Sequence, residues 1–174
     1  MSGAEFLKDG FGDSIGGSDS RKALIKQHEK LLFGFILSFA PFSREQAFQM
    51  AVSSFIEVFK EARLDPENGA FLEGLFRTAL KKFEGVVPSG AAGFSAFGAP
   101  ASSKKEALKI VREGLFHLTP EDKAVILLRD QCHFSFERIA AILKTRPQQA
   151  RSSCLVARER LREVVKNLLE GRAG

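Results

Sequence analysis

Eight basic side chains gather at one end of the chain: Lys144, Arg146, Arg151, Arg158, Arg160, Arg162, Lys166 and Arg172. Only three carboxylates, Glu159, Glu163 and Glu170, stand among them, and the difference is the whole formal charge of +5. Residues 1–143 therefore balance to zero. A localised positive helix is the electrostatic footprint of a surface that meets phosphate. The same charge also suits a solvated helix end, because Lys and Arg favour the last turns. The polar residues just before it weigh toward phosphate. Gln148, Gln149, Arg151, Ser152 and Leu155 fall on the outward side of the first turns of this helix. A Gln amide can pair with adenine, an Arg with guanine, and a Leu can touch a thymine methyl. Arg158, Arg160 and Arg162 follow, positioned for phosphates or for the preceding helix. The chemistry this set can do is recognition of DNA, with Gln148, Gln149, Arg151, Ser152, Leu155 and Arg158 as the candidate contacts.

Residue types suited to catalysis are dispersed. His28, His117 and His133 are far apart, and the adjacent Cys132 and His133 lack partner ligands for a metal. Glu57 and Glu61 lie one helical turn apart but among lysines and arginines, a poor setting for an acid–base pair. There is no glycine-rich phosphate loop and no nucleophile elbow. The expectation is a protein that is not an enzyme, with no metal and no cofactor. Two cysteines make no disulfide framework, which suits reduced thiols in the cytoplasm. No signal peptide opens the chain. The longest dense apolar run, residues 31–42, is well short of the ~20 residues of a membrane helix. A cytoplasmic protein with no membrane partner is expected. All seventeen Phe lie at or before Phe136, and Trp and Tyr are absent, so the basic helix offers no stacking platform for single strands.

The elements that must position the basic helix are all helical. Residues 1–20, rich in Gly, Ser and Asp, are expected to form a disordered arm. A first helix spans about 21–40, apolar on nearly every side in its second half, and Pro41 stops it. Ser43 and Gln46 have capping-box spacing for a second helix over about 44–62. There Ala47, Phe48, Ala51, Phe55, Val58 and Ala62 form an inner row opposite Gln46, Gln49, Ser53, Glu57 and Lys60. A third helix covers about 70–83 with Phe71, Leu72, Leu75, Phe76 and Ala79 inward. Residues 85–103 carry no charge and read as a flexible linker. A helix over 104–118 puts Leu108, Val111, Leu115 and Leu118 on one stripe. Thr119-Pro120 starts the next, which ends near Cys132; Ser135 caps a short helix to Leu143; 144–147 make a tight turn into the last helix, about 147–169. No segment alternates like a strand. The fold expected is all-α, with two small helical domains, 21–84 and 104–174, the second a helix-turn-helix.

Three stretches carry a family resemblance: 118–129 (LTPEDKAVILLR), 134–143 (FSFERIAAIL) and 150–162 (ARSSCLVARERLR). Together they resemble region four of bacterial sigma factors of the extracytoplasmic-function type. Leu128-Arg129, Ile139-Ala140, Arg151-Ser152, Ala157-Arg158 and Leu161-Arg162 fall in register with that family's pattern. Arg138 replaces a Glu, and Ser153 and Val156 stand where the family often has Arg. The first half is similar to a degenerate region two. Phe55 to Phe59 match the helix that binds the polymerase clamp, and Phe71-Leu72 stands where the family has Trp-Leu.

The resemblance implies an alternative sigma factor that binds core RNA polymerase at its clamp and flap. It would direct promoter recognition and transcription initiation, with an anti-sigma factor as a further partner. It also implies that Gln46, Gln49, Ser53, Glu57 and Lys60 contact the polymerase and that Phe71 captures the melted strand. A stand-alone helix-turn-helix regulator that does not bind core polymerase is the alternative, and a helical adaptor without DNA is a third.

Overall fold

The computed structural model describes residues 19–61, 69–84 and 104–171. Among them the chain is all-helical, with seven α-helices and no strand. They are α1 (Asp19–Phe39), α2 (Arg44–Glu61), α3 (Ala70–Glu84), α4 (Lys104–Phe116), α5 (Pro120–Ile126), α6 (Phe136–Leu143) and α7 (Pro147–Glu170). α5 runs on without a break into a π-helical turn, Leu127–Gln131. Two compact units result: one holds α1 as far as Leu37 with α2 and α3, the other holds α4 to α7. The predicted linker 85–103 lies outside the described residues, as do residues 1–18 of the predicted arm; its last two residues instead begin α1. No described helix is long and apolar enough to cross a membrane.

The first unit is built on phenylalanine. Ser43 and Gln46 close a reciprocal capping box at the start of α2, with the Ser43 N–H donating to Gln46 Oε1 at 2.9 Å and the Gln46 N–H to Ser43 Oγ at 3.1 Å. That box phases α2 so that Ala47, Ala51, Phe55 and Val58 are buried, and α2 lies against α3. Phe35, Phe55 and Phe76 have no exposed surface. Each such side chain contributes about 1.5–3 kcal/mol of burial. Phe35 meets Phe76 edge-on at 5.1 Å, which ties α1 to α3.

The second unit wraps three helices around α7, which packs on α4, α5 and α6. Thr119 caps α5, accepting the Asp122 N–H at 3.3 Å, with Pro120 at the first helical position. The stripe expected over 104–118 holds at Leu115 and Leu118, which are buried, and is displaced in its leading half. Leu108 and Val111 are 60% and 40% exposed, and the buried row runs through Ile110, Gly114 and Leu115. The reason is Gly114: a Cβ there would stand 2.9 Å from Val165 Cγ2 and 3.0 Å from Leu161 Cδ1, so the bare glycine sets the face on which α7 lies. A count of apolar residues overlooks a glycine used this way.

Candidate nucleic-acid interface

The positioning of α7 starts at the end of α6. Ser135 opens α6, its Oγ accepting the Arg138 N–H at 3.3 Å. Lys144 closes it in the left-handed conformation, φ 53° and ψ 46°. Both the Lys144 and the Thr145 N–H groups donate to the Ala140 carbonyl, the second at 2.9 Å, and this satisfies the helix end while turning the chain. Arg146 is extended, and Pro147 takes the first position of α7, where an N–H would be unpaired in any case. Ala150, Cys154 and Ala157, all small and all buried, let α7 approach its neighbours closely. That seats the opposite side of the helix in solvent.

Five of the six candidate DNA contacts share that free side. Gln148, Gln149, Arg151, Ser152 and Leu155 are exposed, Leu155 at 58%. Val156 joins them at 49%, a large apolar exposure beside Leu155. Thr145 Oγ1 donates to Gln149 Oε1 at 2.6 Å, which orients the amide and leaves its N–H groups unused by that bond. Arg158 is engaged otherwise: its guanidinium forks onto the Asp130 carboxylate, with Nε to Oδ2 at 3.1 Å. The hydrogen bonds it donates to Asp130 raise the Arg158 pKa above its ordinary value.

The cations divide along the helix. Arg160 pairs with the largely buried Asp122 at 2.6 Å, Arg162 with Glu159 of its own helix, and Lys166 with Glu170 at 3.7 Å. Lys144, Arg146 and Arg151 are exposed and make no ion pair among the described residues. Free charge is therefore concentrated at the turn and the first turns of α7, where the Gln, Ser and Leu side chains also stand. The trailing arginines, expected to serve phosphates or the preceding helix, serve the protein.

Sequence reasoning missed Asp122 and Asp130, the carboxylates that decide this. They lie on α5 and on the π-helical turn that continues it, 38 and 28 residues from their arginines, with no local pattern to mark them. The π-helical turn was missed too. The Cys132 N–H reaches back to the Leu127 carbonyl at 3.0 Å, and His133 then takes a positive φ of 57°. Arg129 leaves that turn to donate to the Phe134 carbonyl at 2.7 Å and to cover the Phe136 ring at 4.7 Å. Burial pushes the Cys132 thiol up to about 12 and raises the Cys154 thiol as well.

In the first unit, Phe71 does not stand ready for a flipped base. It is 4% exposed, stacked on Phe59 at 5.5 Å and flanked by Phe55 and His28 at 6.3 and 5.9 Å. Capture of a strand at this residue is thereby corrected to a core role, because helical spacing with Leu75 turns it inward. The polar row on α2 is exposed at Gln46, Gln49 and Lys60 and half-buried at Ser53 and Glu57. Gln46 serves the capping box, Gln49 donates to Glu45 at 2.8 Å, and Ser53 donates to the Met50 carbonyl at 3.0 Å. Glu57 accepts from Lys82 Nζ at 2.6 Å, and that bond holds its carboxyl below the ordinary range.

No protein-family model matches the chain, and no curated protein matches it.

Proposed function

We propose that this chain is an alternative sigma factor, a protein that recruits core RNA polymerase to promoters and lets it initiate. The observation that carries the reading is the leading end of α7. Three cations unpaired among the described residues, Lys144, Arg146 and Arg151, flank exposed Gln148, Gln149, Ser152 and Leu155 on a helix entered through a three-residue turn. This is the composition of a groove-reading surface, with phosphate contacts to fix register and side chains to read base edges. The resemblance of 118–162 to sigma region four supplies the promoter and the polymerase flap as partners. The α2 row, outermost at Gln46, Gln49 and Lys60, is the clamp contact in this reading, with Ser53 and Glu57 behind it. An anti-sigma factor is the regulatory partner, the compartment is the cytoplasm, and the chemistry belongs to the polymerase.

The test is reconstitution of the full chain with core polymerase. A complex formed without DNA, and transcripts from a subset of a promoter pool, are expected. Absence of both would end the reading. The second reading, a stand-alone helix-turn-helix regulator, is favoured by the burial of Phe71 and by the internal partners of Gln46, Gln49, Ser53 and Glu57. It predicts binding to duplex DNA and none to core polymerase.

A further inference from the structure

Beside the reading face lies a feature that base recognition does not use. A solvent-open cleft of about 360 Å³ is lined by Arg129, Asp130, His133 and Arg158. Two guanidinium groups, an imidazole and a single carboxylate thus share its wall. Arg129 is held in place by the Phe134 carbonyl and the Phe136 ring, and Arg158 by the Asp130 carboxylate. Arg158 follows Arg151 by seven residues, two helical turns or about 10 Å along the same side of α7. The two arginines form one line, the first free and the second occupied.

We propose that this cleft is a backbone-phosphate site of duplex DNA, and that Asp130 is a built-in occupant which DNA phosphate displaces. The proposal rests on duplex reading by the leading end of α7. A phosphate oxygen pair offers Arg158 the same two-pronged acceptor that the carboxylate now offers. The exchange is physically easy because both partners are well exposed, at 43% and 42% for their side chains, and exposed pairs are weak. Asp130 then sets specificity. A phosphate held only by chance does not repay displacement of the carboxylate, whereas one delivered by a correctly docked α7 does. The device lowers affinity for random duplex more than for the true site.

The experiment is fluorescence anisotropy of the full chain on a random-sequence 30-base-pair duplex across a salt series, for wild type, Asp130→Asn, Asp130→Asn with Arg158→Gln, and Arg146→Ala. Asp130→Asn should bind roughly two- to fivefold tighter at low salt. Its log–log salt slope should steepen by about 0.9, one added phosphate. Arg158→Gln in that background should abolish both gains. Asp130→Ser repeats the comparison should Asn unsettle the π-helical turn, and helical circular dichroism of each variant reports folding. If Asp130→Asn and Asp130→Ser leave binding unchanged or weaken it while Arg146→Ala weakens it, the pair is structural and this proposal fails with duplex reading intact. If wild type and Arg146→Ala are indistinguishable at every salt, duplex reading itself fails and the phosphate site with it.

Discussion

Single side chains on α7 differ less in type than in what stands across from them. Arg158 and Arg160 have carboxylates in reach on the π-helical turn and on α5 and are taken up by them; Arg146 and Arg151 have no such partner among the described residues. Two predictions belong at this scale. Arg151→Ala and Gln149→Ala should each cost about 1–3 kcal/mol at a specific site and relax preference at one base position. Arg146→Ala should instead weaken all duplexes alike, and anisotropy on matched and mismatched duplexes separates the two behaviours. Phe71→Ala should destabilise the first unit by about 3–5 kcal/mol in urea denaturation, the cost of an aromatic removed from a core. Phe71 shows why residue roles were only partly legible. Its spacing with Leu75 put it inward, as it is found, while its place in the family pattern implied a stacking surface; which neighbours close over it is not written locally. Those neighbours, Phe59, Phe55 and His28, come from other helices.

Helices and turns were the more legible level. The starts at Ser43, Thr119 and Ser135 and the halt before Pro41 follow from local hydrogen bonding and proline geometry, which need no tertiary context. The inner rows of α2 and α3, and the small residues 150, 154 and 157 of α7, follow from periodicity. The leading half of α4 was phased wrongly because Gly114 carries the contact with Leu161 and Val165. Gly114→Ala should lower the urea midpoint despite the better helix propensity of Ala, a net loss on the order of 1 kcal/mol, since overpacking outweighs propensity. The turn into α7 holds Lys144 at positive φ, a conformation that costs an ordinary residue about 1–2 kcal/mol. Lys144→Gly should therefore stabilise the second unit by about 1 kcal/mol while reducing the salt slope of DNA binding by about one phosphate. Melting curves and salt titrations of the same variant read the two effects independently.

The whole molecule is two helical units whose surfaces differ in how far their own bonds use them up. On α2 the polar row is largely spent on internal partners; at the head of α7 charge and hydrogen-bonding groups are left over. A net charge of +5 therefore acts at one place and not as a diffuse field. The central claim is that this place selects DNA sequence for a polymerase. It is tested most directly by selecting duplexes from a random pool with the full chain and core polymerase together, for wild type and for the Gln149→Ala, Arg151→Ala double variant. The account predicts a shared motif enriched by wild type and lost or altered at adjacent positions in the double variant. Enrichment of the same motif by both, or of none by wild type, would contradict it.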